Sequence, residues 1–181
     1  MIVKNEEITL ERCLNCAEDF VDEIIIVDTG STDKTKEIAK KFTDKIYDFE
    51  WLQDFAAARN FSFSKATKEY IFYLDADDII LEEDQKKLKK LKSSLDKSID
   101  SVTMFYNMNL DKDGIPALSY RKNRLVRRAN NFKWYIYFSN TYYKKITVHT
   151  LASVCTAIFY LLFISLTCSG FNFFFSLTKF N

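Results

Sequence analysis

Apolar residues in the first half of the chain follow two alternating patterns. Continuous apolar runs at residues 23–27 and 70–74 are typical of strands that are buried on both faces of a sheet. Apolar residues spaced three and four positions apart predict helices, the first of them marked by Leu10, Cys13, Leu14 and Ala17. The same criteria predict further helices at residues 35–42, 55–66 and 82–92, and short strands at residues 1–3 and 45–49.

This alternation of strands and helices predicts the α/β class, with βαβ units and a parallel sheet covered by helices on both faces. Ligands of such sheets lie at the carboxyl ends of the strands. Asp28 and Asp75 each directly follow a buried strand, so we expect the two acidic segments to share one edge of the sheet. After residue 95 the pattern changes, and residues 101–110 and 118–126 predict two strands joined by a turn.

The charge distribution divides the chain into two unlike parts. All 25 acidic residues lie at or before Asp113, whereas the remainder carries nine basic residues and no acid. Eight of those nine basic residues fall at residues 121–145. The whole chain is 28% charged and 16% aromatic, which predicts a globular core and excludes a disordered, collagen-like or coiled-coil protein.

The four cysteines do not form a disulfide framework. Cys13 and Cys16 lie three positions apart on a predicted helix, and Cys155 and Cys168 lie in an apolar tail. No basic segment precedes the first apolar residues, so the sequence has no signal-peptide pattern at its start. We therefore expect a cytoplasmic protein.

The segment Asp75-Ala76-Asp77 is the most informative motif. Two carboxylates two positions apart at the end of a strand can share a divalent cation and leave coordination positions for diphosphate oxygens, which favours Mg²⁺ or Mn²⁺. The alternative is that Asp77 or Asp78 only caps the helix that follows. The residues alone leave both interpretations open.

Two further segments carry candidate ligand-binding side chains. Asp28, with Gly30 close by, can accept hydrogen bonds from a base or a ribose, or can form a turn that caps the next helix. Arg59 and Asn60 can contact a phosphate and a base edge, or can belong to a solvated helix face. The single glycine excludes a Walker or Rossmann phosphate loop.

Five segments, in this order and spacing, resemble the family 2 glycosyltransferases with a GT-A fold: MIVKNEE, the helix at residues 10–13, DEIIIVDTGSTDKT, DFEWLQDFAAARN and EYIFYLDADD. The likeness is greatest to a branch resembling bacterial lipopolysaccharide-core β-glucosyltransferases and peptide-modifying glycosyltransferases. It covers residues 1–134 and is strong up to residue 95. It implies a GT-A, Rossmann-like and mostly parallel sheet with helices on both faces, incomplete in its C-terminal half.

The resemblance also implies roles for individual residues. The nucleotide-sugar-binding residues would be Lys4, Glu6, Asp28, Arg59, Asn60 and Asp75, and the metal ligands would be Asp77 and Asp75. A Mg²⁺ or Mn²⁺ ion held there would neutralise the diphosphate as the anomeric C–O bond breaks. The acids would hold the metal and would not attack the sugar.

On this basis we expect an inverting transferase that moves a hexose, glucose or N-acetylglucosamine, from a UDP-sugar to a saccharide, lipid-linked or peptide acceptor. A catalytically inactive fragment that binds nucleotide-sugar is the alternative. A nucleotidyltransferase is a less favoured third class, because it would need a glycine-rich basic loop after the first strand. Residues 4–7 are Lys-Asn-Glu-Glu and do not form such a loop. The basic, aromatic segment at residues 121–145 has no nucleic-acid-binding motif, so no nucleic-acid partner is expected.

An inverting reaction also needs a general base, and none is recognisable in the sequence. Family members continue past a segment like that at residues 124–134 into a glycine and a His-Glu pair, whereas here His149 has no neighbouring Glu. Asp111 and Asp113 are the first candidates to test for this role. Family members also carry residues before MIVKNEE that complete the first strand, so we expect the sequence to be truncated.

The chain is divided into a partial GT-A domain at residues 1–134, a basic and aromatic connector at 135–150, and an apolar tail at 151–178. The tail is long enough to cross a bilayer and follows Lys144 and Lys145, which predicts a membrane anchor with the catalytic part in the cytoplasm. Translation in a shifted frame after Trp134 also explains the loss of every acid and of the His-Glu pair, and we favour this second explanation.

Overall fold

The computed structural model describes residues 1–138, 144–149 and 176–179, and the side chains of residues 1–135. The helices are α1 (Leu10–Ala17), α2 (Thr35–Ala39), α3 (Phe55–Lys65) and α4 (Glu82–Ser94). The strands are β1 (Ile2–Val3), β2 (Ile26–Asp28), β3 (Ile46–Asp48), β4 (Tyr70–Phe72), β5 (Asp78–Ile80), β6 (Ser101–Leu110), β7 (Pro116–Arg127), β8 (Lys133–Phe138), β9 (Lys144–His149) and β10 (Ser176–Lys179).

The first sheet is parallel and has the strand order β1-β2-β3. β2 is its central strand and is buried along its whole length, as the apolar run at residues 23–27 predicts, although the strand begins only at Ile26. In register, Val3 lies opposite Asp28, which in turn lies opposite Asp48. The α/β class is thereby confirmed.

The second sheet has the order β4-β7-β6-β10-β5 and is mostly antiparallel. The hairpin of β6 and β7 agrees with the two strands predicted after residue 95. β4 differs from the expectation, because it pairs antiparallel with β7 and not with the first sheet. A continuous apolar run predicts that a strand is buried, but it does not identify the neighbouring strand.

Helix α1 connects the two sheets through the apolar stripe that predicted it. Leu10 and Leu14 belong to a buried cluster with Val3, Ile26, Ala39 and Ala76 of the first sheet and its surroundings. Cys13 and Ala17 belong to a second cluster, which includes Leu74, Ile80, Leu88, Leu91, Met104 and Tyr106. One amphipathic helix therefore packs against both sheets and fixes their relative position.

The segment after Trp134 contains strands where a connector is predicted. β8 pairs antiparallel with β9 over six residue pairs, from Lys133 opposite His149 to Phe138 opposite Lys144. Residues 151–175 of the predicted tail lie outside the described residues, and its last three residues belong to β10. Within the described ranges, no helix has both the length and the apolar character needed to cross a bilayer.

Glu23 joins the segments that precede β2, β3 and β4. Its carboxylate accepts hydrogen bonds from Lys45 Nζ (2.5 Å), from the Thr67 hydroxyl (2.8 Å) and from the Thr67 backbone N–H (2.9 Å). Burial raises the pKa of Glu23, whose side chain is 5% exposed, but these bonds outweigh burial and lower the pKa to about 2.

We expect Glu23→Gln to lower the free energy of unfolding at pH 6 by about 1 kcal/mol. The folded-state pKa is below the unfolded value, so the carboxylate stabilises the fold fully above about pH 4.5 and loses this contribution as the pH falls towards 2. The difference between the two proteins in urea unfolding should therefore shrink between pH 6 and pH 3. The exposed Glu18→Gln is the matched control, and a pH-independent difference for Glu23→Gln would contradict the account.

Candidate functional site

The loops that follow β1 and β2 are joined by hydrogen bonds. The backbone N–H of Asn5 donates to Ser31 Oγ (2.9 Å), and the Thr32 N–H donates to Asn5 Oδ1 (2.8 Å). The Glu6 N–H donates to Thr35 Oγ1 (2.7 Å) at the start of α2. These bonds fix the backbone around the carboxyl end of β2.

Asp28 ends β2 and is 1% exposed. Its Oδ1 accepts hydrogen bonds from the N–H groups of Gly30 and Ser31, both at 2.9 Å, and lies 3.9 Å from Lys36 Nζ. Gly30 has φ +102°, a conformation that residues with side chains rarely adopt. The predicted Asx turn is therefore formed by one oxygen, whereas the buried Oδ2 has no hydrogen-bond partner in the described part of the chain.

Lys4 and Glu6 lie in the loop after β1, as the resemblance implies. Lys4 is exposed. Glu6 Oε2 accepts a hydrogen bond from the hydroxyl of Thr9 (2.7 Å), the residue immediately before α1. This carboxylate therefore stabilises the start of the helix. Their contact with a nucleotide remains a prediction.

The turn Asp75-Ala76-Asp77 lies beside the carboxyl end of β1. Cys13 Sγ donates to the Asp75 carbonyl (3.3 Å), and Ala76 shares its buried cluster with Val3. Val3 is the register partner of Asp28, so one buried cluster links the strand beside Asp28 with the acidic turn, although the two acidic segments belong to different sheets. The expected common edge is therefore not one continuous ladder, and a shared ligand at this edge stays a prediction.

Asp78 holds this turn in place and does not cap a helix. Its Oδ2 accepts a hydrogen bond from the Asp75 N–H (2.8 Å) and lies 2.9 Å from Arg124 Nη2, and both Asp78 and Arg124 are fully buried. Strand β5 separates the turn from α4, whose N-cap residue is Leu81. The interpretation that Asp77 or Asp78 only caps the following helix is therefore wrong.

Three cations surround the Asp75 carboxylate. Arg59 forms an ion pair with Oδ1, while Lys122 Nζ and Arg124 Nη1 lie 3.8 and 4.0 Å from Oδ2. Burial raises the pKa of Asp75, but Arg59 and Arg124 outweigh it and hold the pKa well below its usual range. The pKa of Asp78 is raised, because burial outweighs Arg124 there. Asp75 therefore keeps its charge to a lower pH than Asp78 does.

Arg59 and Asn60 are both held against Trp134. The Arg59 guanidinium lies 4.7 Å from the centroid of the Trp134 ring. Asn60 Nδ2 donates to the Trp134 carbonyl (3.0 Å), and the Trp134 N–H donates to Asn60 Oδ1 (2.9 Å). Arg59 therefore reaches the acidic turn, whereas the Asn60 amide attaches β8 to α3.

For a divalent metal, this turn offers one candidate carboxylate, that of Asp77. Among the residues that the structure describes, no group of three or more His, Cys, Asp or Glu side chains is placed to hold a metal. Asp75 does not suit a cation, because both of its oxygens face protein cations. Asp77 is half-buried in the turn, and one or two carboxylates with phosphate oxygens are a usual coordination for Mg²⁺.

Asp111 and Asp113 lie in the turn of the β6–β7 hairpin. Asp111 Oδ1 accepts hydrogen bonds from the N–H groups of Asp113 (2.9 Å) and Ile115 (2.8 Å), so it organises that turn. Lys122, beside Asp75, pairs with Met104, six residues before the end of β6. At the usual rise per residue the turn is about 20 Å further along the ribbon. Neither carboxylate is therefore placed as a base at the acidic turn.

Lys122, Arg124 and Asp78 are the site residues that the sequence analysis missed. Lys122 and Arg124 are two positions apart on a strand and therefore point to the same face of the sheet. This period of two within the basic segment was the available signal. The sequence held no such signal for Asp78, because an acidic residue after a strand gives the same sequence pattern whether it binds a ligand or pairs with an arginine.

A mostly apolar cavity of about 350 Å³ is lined by residues of α3, β4 and α4 and of the segment before β2. Its lining includes Phe20, Ile25, Phe63, Phe72 and Leu91. None of the residues predicted to bind nucleotide or metal contributes to it. The cavity is therefore separate from the acidic segments.

The fold and the acidic strand ends define an α/β protein of the GT-A class. Residues 1–163 match the family model described as glycosyl transferase family 2, and the chain belongs to this family of transferases. The match continues beyond Trp134, where we placed the end of the domain. That boundary stays a prediction.

Three relatives illustrate the extent of the similarity. The chain is 39% identical over 109 residues to the glycosyltransferase SunS of Bacillus subtilis, covering 59% of this chain and 26% of that protein. It is 47% identical over 83 residues to a TPR repeat-containing protein of Synechococcus elongatus, covering 45% and 21%. The chain thus spans about a quarter or less of these relatives. TarS of S. aureus has a similar fold, with a TM-score of 0.51 and 20% identity over 74% of this chain and 29% of TarS.

We expect Asn60→Ala to lower the free energy of unfolding by about 1–3 kcal/mol, because it removes two hydrogen bonds from the buried Trp134 backbone. Trp134 fluorescence should shift to longer wavelength in the folded variant as β8 loosens. Ser64→Ala, on the exposed side of the same helix, is the control and should change neither quantity. Unchanged stability and emission of the Asn60 variant would refute the attachment of β8 through this amide.

Proposed function

We propose that this chain binds the nucleoside diphosphate of a UDP-sugar at the carboxyl ends of β1 and β2 and serves as the donor site of a hexosyltransferase. The observation that carries the proposal is the buried Asp28 Oδ2, which has no hydrogen-bond partner among the described residues. Asp28 pairs in register with Val3, and Ala76 of the acidic turn lies in the same buried cluster as Val3. Family membership supports sugar transfer. The choice of uridine follows the resemblance described above.

Each acidic segment has a separate task in this proposal. Asp28 Oδ2 accepts a hydrogen bond from the base or the ribose, which removes the cost of a buried acceptor without a donor, about 1–3 kcal/mol. Asp75, held ionised by Arg59, faces the ribose. Asp77 holds Mg²⁺ or Mn²⁺ against the diphosphate oxygens. The metal supplies charge neutralisation to the leaving diphosphate.

Sugar transfer with inversion to a saccharide, lipid-linked or peptide acceptor is the whole-protein activity that we propose. The second candidate is an inactive fragment that binds nucleotide-sugar. It is favoured by one observation, because Asp111 is engaged in the hairpin turn and no acid follows Asp113 in the sequence. Both candidates share the donor site and therefore the tests below.

We expect Asp28→Asn to weaken binding of uridine and of UDP by about tenfold or more, with and without metal, because the amide replaces an acceptor by a donor. Isothermal titration calorimetry with both ligands measures this. Asp44→Asn, at an exposed position before β3, is the control. Equal affinities of wild type and the Asp28 variant would show that this carboxylate does not contact the nucleotide.

We expect UDP affinity to rise when Mn²⁺ or Mg²⁺ is added, and Asp77→Ala to remove this rise while leaving the fold intact. The reason is that Asp77 is the carboxylate of the turn that fits a cation. Calorimetry with UDP in EDTA and in MnCl₂ compares the two proteins. An undiminished metal effect in the variant would refute the assignment of Asp77.

A further inference from the structure

The three cations near Asp75 differ in how far their charges are already engaged. Arg124 is fully buried, and its Nη2 lies 2.9 Å from Asp78 Oδ2. Arg59 forms a direct ion pair with Asp75 and is 16% exposed. Lys122 is 28% exposed, and its Nζ lies 3.8 Å from Asp75 Oδ2, which is beyond hydrogen-bond distance. Lys122 is therefore the cation of the three that is best able to turn towards an incoming anion.

Aromatic rings keep the Lys122 ammonium next to the acidic turn. Its Nζ lies 3.7 Å from the centroid of the Tyr106 ring and 5.7 Å from that of Tyr120. A cation above an aromatic face is attracted by the ring quadrupole. In the part of the chain whose side chains are described, the contacts of this ammonium are these rings and the more distant Asp75. An anion therefore does not have to break a hydrogen bond to reach it.

Movement of Lys122 leaves the rest of the charge cluster paired. Asp75 keeps its ion pair with Arg59 and stays 4.0 Å from Arg124, and Asp78 keeps Arg124. The lysine stem has four flexible bonds and ends in a point charge, which suits a phosphate that approaches from solvent. The Lys122 ammonium can therefore move to a bound anion without leaving a buried carboxylate unpaired.

We propose that Lys122 binds the diphosphate of the donor and supplies part of the charge neutralisation that would otherwise depend on the metal at Asp77. This inference rests on the proposed function. It adds a diphosphate-binding residue from the β6–β7 hairpin. A consequence is that UDP binds measurably in the absence of metal.

The test compares UDP with uridine, which has the same base and ribose but no diphosphate, for the full chain in EDTA. We expect Lys122→Met to weaken UDP binding by about 10- to 100-fold and to change uridine binding by less than twofold. Lys122→Arg should restore UDP affinity to within a few fold of wild type. Lys112→Met, an exposed lysine in the turn of the same hairpin, is the control and should bind both ligands as wild type does.

Each outcome decides the matter. UDP affinity of Lys122→Met equal to that of wild type would overturn the inference and leave the donor site standing. If Lys122→Met lost the same factor in affinity for UDP and for uridine, and Lys122→Arg did not restore the affinity, Lys122 would only support the fold. Thermal unfolding followed by circular dichroism would then show a lower melting temperature for both variants. Failure of the wild-type chain to bind UDP in EDTA would overturn this inference alone, whereas failure to bind UDP in MnCl₂ as well would overturn the proposed function with it.

Discussion

The buried ion pair between Asp78 and Arg124 is the interaction on which the site depends. Both side chains are inaccessible to solvent, and removal of one partner from such a pair costs about 3–5 kcal/mol, because the other charge is left without compensation. Arg124 lies on β7, which pairs with β4, so the pair joins the second sheet to the turn after β4. Asp78 also accepts the Asp75 N–H and thereby sets the backbone that presents Asp75 and Asp77.

The charges at this turn explain why neighbouring acids have different tasks. Asp78 has a raised pKa and is a structural group, whereas Asp75 is held ionised by the cations around it. Asp77, in the same turn, is the carboxylate to which we assign the proposed metal. Val3, at the carboxyl end of β1, pairs in register with Asp28 and shares a buried cluster with Ala76 of this turn. A nucleotide spanning these groups would have its base and its diphosphate recognised by separate segments of the chain.

Local pattern predicted most of the elements but not how the strands are arranged. The stripe of α1 and the hairpin of β6 and β7 follow from spacing, since spacing reports which side of an element is buried. β4 was expected in the parallel sheet but pairs antiparallel with β7, because the burial of a strand does not identify its neighbour. In the site, motifs located the acids, whereas the engagement of Asn60 with the Trp134 backbone depends on contacts between residues 74 positions apart.

The central claim is that the two acidic segments form one nucleotide site at the end of β1. The most direct measurement is a titration of the ¹⁵N-labelled chain with UDP, followed by amide chemical shifts in two-dimensional NMR. The account predicts that the amides of Gly30 and Ala76 shift together and saturate at the same UDP concentration. Shifts confined to the apolar cavity, at Ala66 and Leu91 for example, or saturation of Gly30 and Ala76 at different concentrations would contradict it.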